Sequence, residues 1–154
     1  MTFLKLLQDS RAAVEDFFTE QWGEKTPIEY QEVAITKTMP YFEWVRPSFQ
    51  LRFRPHRTRT LQCDPKDLTG LIAVQVFVEV PNGANGAEQR ARGEVLVEEV
   101  RRIFDVAEIT GRETVLSLDP PDAGETGPRH RYIQMNCTIG FSLSLRSSDS
   151  LEPF

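Results

Sequence analysis

Residues 70–104 read GLIAVQVFVEVPNGANGAEQRARGEVLVEEVRRIF, and this strand, turn and helix set the architecture of the chain. Ile72, Val74, Val76, Val78 and Val80 fall on one side of the alternation; Leu71, Ala73, Gln75, Phe77 and Glu79 fall on the other. β-Branched residues at a period of two specify a strand whose first face lies against helices. The second face is mixed, which suits partial exposure or contact with another subunit. Pro81 stops the strand, and Asn82-Gly83 and Asn85-Gly86 supply residues that accept left-handed turns. A helix leaves the turns with Gly93, Leu96, Val97, Val100, Ile103 and Phe104 on one side. Glu94, Glu98, Glu99, Arg101 and Arg102 take the rest of its surface. Asn85 is placed to cap it, with Glu88 three residues on to complete a capping box. Gly93 lets the helix come close to the sheet. The turn has neither the Gly-Lys-Ser/Thr ending of a P-loop nor a G-x-G-x-x-G pattern, so it reads as a turn and not as a phosphate cradle.

On the N-terminal side, residues 3–21 carry Leu4, Leu7, Val14 and Phe18 at helical spacing, with Phe3, Leu6, Ala13 and Phe17 beside them. Lys5, Asp9, Glu15 and Asp16 are left for solvent, Thr2 can cap the start, and Gly23 is a stop. Thr26-Pro27 turns the chain into an extended segment, with a short strand candidate at Ile28–Ala34. A better strand runs from Trp44 to Phe53, interrupted at Pro47; Phe49, Leu51 and Phe53 alternate with Gln50, Arg52 and Arg54. Residues 54–66 read as loop.

On the C-terminal side, Val115–Leu118 is a short strand and the Pro- and Gly-rich residues 120–128 read as an exposed, mobile loop. From Ile133 the chain alternates again. Ile133, Met135, Cys137, Ile139, Phe141, Leu143 and Leu145 face one way, and Gln134, Asn136, Thr138, Gly140, Ser142 and Ser144 face solvent. The expected fold is α/β of the α+β kind: one mostly antiparallel or mixed sheet packed against two main helices. Residues 1–146 form a single domain, and 147–154 a flexible tail.

A chain of 154 residues with 40% hydrophobic residues can build a real core. The net charge of −5 argues against whole-protein attraction to nucleic acid or anionic membrane, while leaving room for a local basic patch. Cys63 and Cys137 have no C-x-x-C spacing and read as reduced thiols. No apolar run is long enough to span a bilayer, and Asp9, Arg11 and Glu15 interrupt any leader-like stretch, so the expectation is a soluble cytoplasmic protein.

Catalytic chemistry finds no coherent constellation. His56 and His130 both lie in basic loop sequence, and with two scattered cysteines they do not make a metal site. Cys137 falls on the apolar face of a strand, where a thiol is packing. The expectation is a non-enzyme without catalytic, metal or cofactor-binding residues. The sharpest charge feature is Arg52, Arg54, His56, Arg57 and Arg59. It admits three readings: contact with phosphate, pairing with an acidic surface of a neighbouring subunit such as Glu94, Glu98 and Glu99, or a solvated loop. Those eight residues are the candidate subunit interface. Phe42 and Trp44, at a strand start, read as core or as subunit contact.

The order of these features resembles the lambda-like tail terminator family of tailed bacteriophages, also called tail tube terminator or tail completion proteins. The resemblance covers roughly residues 3–104. It rests on the first helix, Thr26-Pro27-Ile28 with Tyr30, Trp44-Val45-Arg46 and the strand to Phe53. Gly70 through Val80-Pro81-Asn82-Gly83 and the helix closing at Ile103-Phe104 complete it. The family often has an asparagine after the aromatic of the Thr-Pro-Ile segment, where Gln31-Glu32 stand here. The resemblance implies a structural virion protein of the tail or neck, assembled in the host cytoplasm. It would form a homohexameric ring at the head-proximal end of the tail tube, ending tube polymerisation and docking the head. Its partners would be its own copies, the tail tube protein and a head-completion or neck protein, with DNA passing through the lumen without specific binding and no membrane. The family brings no catalytic residues. Two alternatives stand beside it: another head–tail connector or neck protein, and a nucleic-acid-binding module that uses the Arg52–Arg59 loop.

Overall fold

The computed structural model describes residues 2–30, 42–53, 68–129 and 131–146. They form α1 (Phe3–Trp22), β1 (Glu43–Phe53), β2 (Leu68–Glu79), α2 (Ala87–Ile103), β3 (Glu108–Thr110), β4 (Thr114–Leu118), β5 (Asp122–Arg129) and β6 (Tyr132–Leu145). The strands make one six-stranded sheet in the order β1-β2-β6-β4-β3, with β5 also on β6, and every ladder is antiparallel. The fold is α+β, with both helices on one face of the sheet. The 14-residue β6 is the spine. One of its edges meets β2 from Tyr132 to Ser142; the other is shared by β5 up to Thr138 and β4 from Phe141.

In α1 the buried stripe is Leu6, Ser10, Val14, Phe18 and Trp22, one residue every turn. Leu4 and Phe3, expected inside, are exposed, because they fall off that stripe. Ser10 survives in the stripe because its hydroxyl donates to the Leu6 carbonyl at 2.5 Å. Thr2 caps the start, accepting from Lys5 N, and Gly23 ends the helix at a φ of 65°. Phe18 stacks between Trp22 and Phe104, with ring centroids 5.3 and 5.7 Å away. These rings tie α1 to the end of α2.

α2 buries Gly93, Leu96, Val97 and Val100, the side read from the sequence. Its start differs from expectation. Gly86, at a φ of 86°, occupies the cap position, Asn85 Oδ1 accepts from Ala87 N at 3.0 Å, and Glu88 closes no capping box among the described residues. The turn needs a left-handed residue immediately before the helix, which leaves Asn85 one position too early for the reciprocal bond.

β1 runs unbroken through Pro47. Val45 directs its N–H and C=O to Pro27 and Glu29, away from β2. Pro47, two residues on, shares that side, so its missing N–H costs the ladder nothing. Of the strand candidate at Ile28–Ala34, Ile28 makes one isolated bridge to Val45, parallel in sense; residues 31–41 lie outside the described residues.

Residues 120–128 are not a free loop. Asp122–Arg129 pairs with β6 as an edge strand, its register shifting between Glu125 and Gly127. β3 was likewise not anticipated. Loop 54–66 and tail 147–154 lie outside the described residues.

Candidate subunit interface

Alternation along β1 sends Phe49 to the helix side and Trp44, Arg46, Gln50 and Arg52 to the opposite face of the sheet. There Arg52 is exposed and, among the described residues, donates to Gln50 Oε1 at 3.5 Å. Arg54, His56, Arg57 and Arg59 lie outside the described residues, as do His130 and Cys63. The acidic partners proposed for them sit on α2, on the other side of the sheet. One copy therefore does not bring Arg52 to Glu94, Glu98 or Glu99.

Two of those three acids are already engaged. Arg101 grips Glu98 with two bonds, Nε to Oε1 at 2.9 Å and Nη2 to Oε2 at 2.6 Å, and Arg102 approaches Glu98 at 3.5 Å. The Arg101 bond holds the Glu98 carboxyl below its ordinary range. Glu99 lies 3.8 Å from Arg102. These are neighbours one turn apart on a helix, where such pairs form readily. Glu94 is exposed and meets no cation among the described residues.

The helix-free face carries a group that the alternation pattern did not foretell. Trp44 stacks on Phe77 at 4.9 Å and meets the edge of Tyr132 at 4.9 Å, while Arg46 lies over Phe77 at 5.2 Å. Trp44 is therefore core-like, and its neighbour Phe42 is exposed. Glu29, only 5% exposed, accepts from Trp44 Nε1 at 3.1 Å and from Arg46 Nε at 2.8 Å and Nη2 at 3.0 Å. Gln134, expected in solvent, is buried in this face; its Nε2 donates to Asn136 Oδ1 at 3.1 Å. The β2–β6 register sets Gln134 beside Phe77, which removes it from water. Glu29 carries no sequence signal, since its partners come from another strand.

A cleft of about 720 Å³ lies between α1 and the β3–β4 hairpin, lined among others by Asp9, Asp16, Glu20, Glu108, Thr110 and Arg112. Asp9, read as a solvent-facing helix residue, builds one wall. It accepts from Glu113 N at 3.2 Å and from the buried Thr114 hydroxyl at 2.5 Å. The hairpin comes so near that a Cβ on Gly111 would stand 2.6 Å from Asp9 Oδ2. Asp16, Glu20 and Glu108 have no hydrogen-bond or ion-pair partner among the described residues.

Cys137 is fully buried between sheet and helices, and burial pushes its thiol up to about 11. It is placed as packing, not as a nucleophile. Among the described residues no three His, Cys, Asp or Glu side chains are grouped as a metal ion requires, and no helix is long and apolar enough to cross a membrane.

Neither the models of known protein families nor the curated proteins contain a match to this chain. A solved structure, of a protein whose name states no function, superposes with a TM-score of 0.65 at 18% sequence identity, covering 90% of this chain and 96% of its own. At that identity the likeness is one of fold.

Proposed function

We propose that the protein is a structural subunit that assembles with its own copies into a ring, as a tail-terminator-like component of a phage tail or neck. The observation that carries this reading is the separation of its charged surfaces. The arginine-bearing end of β1 lies on the helix-free face, and Glu94, Asp16 and Glu20, which have no ion-pair partner among the described residues, belong to the helices on the other face. A ring needs a heterologous contact, in which one patch binds a different patch on the next copy and the rotation closes. Complementary charges that do not neutralise each other within one copy suit that requirement. The fold adds a base for such contacts: helices pack on one face of the sheet and the aromatic group on the other. In this role the subunit ends tube polymerisation and offers a docking surface to the head, with DNA passing through the lumen.

Negative-stain imaging of the purified protein tests the reading, supported by light scattering for mass. Annular particles of about six copies are the expected result, six being the number that the family resemblance implies. Monodisperse monomers at high concentration, with and without a tail tube protein, would overturn it.

A further inference from the structure

β3 ends the sheet on one side, and its outer edge opens onto the cleft beside α1. Toward β4, Ala107 accepts from Leu118 and Gly111 donates to Thr114. Antiparallel bonding alternates, so Glu108 and Thr110 turn their N–H and C=O the other way, to the cleft. No described strand pairs with them there. An open edge of this kind is a template for another chain. Across the cleft, Asp16 and Glu20 on α1 have no ion-pair partner among the described residues, and Arg112 and Arg146 line its hairpin side.

At the far end of the sheet, β1 is the other terminal strand, and it leads into Arg52, Arg54, His56, Arg57 and Arg59. Residues 52–59 contain no acidic side chain. A cationic segment leaves one end of the sheet, then, and an anionic cleft with an unpaired strand edge closes the other. We propose that the cleft of one copy receives residues 52–59 of a second copy. The incoming backbone adds to the edge of β3, and its arginines pair with Asp16 and Glu20. Strand addition supplies the affinity, and the charges select and orient the segment. This rests on the self-assembly reading above and names its contact; it moves the acceptor from α2, where Glu98 and Glu99 already hold Arg101 and Arg102.

The test is mass photometry of four proteins: wild type, Asp16→Arg/Glu20→Arg, Arg57→Glu/Arg59→Glu, and the variant combining all four changes. Each double variant should lose assembly by about tenfold or more, the scale of close charge pairs across an interface, and the combined variant should regain it. Regain also shows that the double variants fold. Thr110→Pro, which removes a cleft-facing N–H without touching the β4 ladder, should weaken assembly in the same way. Assembly unchanged in every variant would overturn this contact and leave the ring standing. If the wild type is monomeric, the ring reading fails, and a labelled synthetic peptide of residues 50–61 decides the contact. Binding to wild type but not to Asp16→Arg/Glu20→Arg keeps the docking site, and no binding to either removes it.

Discussion

Gly70 sits where three strands press together. A Cβ there would stand 2.2 Å from the Gln50 carbonyl oxygen and 2.2 Å from Cζ of Phe141, whose ring stacks on Phe49 at 5.2 Å. The carbonyl belongs to the neighbouring strand and cannot retreat without opening the ladder, so Gly70→Ala should destabilise the fold by about 1–3 kcal/mol, read by urea unfolding. Nothing in residue 70 announces this; the sequence shows a glycine at a strand start, and the ring that fills its place comes from 71 residues later. Cys137 was easier to read, because an apolar face at a period of two already implied burial. Its thiol, held at about 11 against an ordinary value near 9, stays protonated in the native state while the unfolded chain ionises. The unfolded state therefore binds fewer protons between those values, and this residue makes stability fall as pH rises from about 9 to 11. Cys137→Ala should flatten that part of the stability–pH curve. Peptide mapping after iodoacetamide at pH 8 should find Cys137 protected in the native protein and labelled in urea.

At the scale of elements, what could be read from sequence was what carries its own period. β2, β6 and α2 were legible because one apolar face repeats along each, and Gly83 and Gly86 because Asn-Gly announces a positive φ, observed at 84° and 86°. β5 was not, because an edge strand held by backbone bonds to β6 needs no apolar face, and its Gly and Pro residues imitate a loop. β3, at three residues, is too short to show a period. The cleft was hidden for a related reason. Asp9 looks like any polar helix residue until the hairpin arrives to use it, and no local pattern reports a partner 104 residues away. That partnership gives a clean prediction. Asp9→Ala removes the acceptor for both Glu113 N and the buried Thr114 hydroxyl, and should cost about 1–3 kcal/mol. Hydrogen exchange should quicken at Glu113 and its hairpin neighbours while the middle of α2 keeps its protection; an equal rise in both would mean that Asp9 supports the whole fold.

For the whole molecule, the question is which charges hold copies together and which only hold an element together. The acids of α2 and those of the cleft carry the same sign but differ in their partners. Glu98 is gripped by Arg101 and approached by Arg102, and Glu99 faces Arg102, so their field is spent along their own helix. Asp16 and Glu20 form no such ion pair among the described residues. Reversing Glu98 and Glu99 to Lys should consequently lower the melting temperature, since like charges one turn apart oppose the helix. It should leave assembly mass and its salt dependence as in the wild type. Reversing the cleft acids should do the opposite, with little change in melting of the single copy and loss of assembly. Salt separates the two as well: contacts between exposed charges weaken as ionic strength rises from about 0.1 to 1 M, where the screening length falls from about 10 to 3 Å. Assembly should thin out over that range while the melting temperature of the single copy, held by the buried aromatic stack of Phe18, Trp22 and Phe104, stays nearly level. If Glu98→Lys/Glu99→Lys dissolved the assembly and the cleft variants did not, the helix face would be the contact after all.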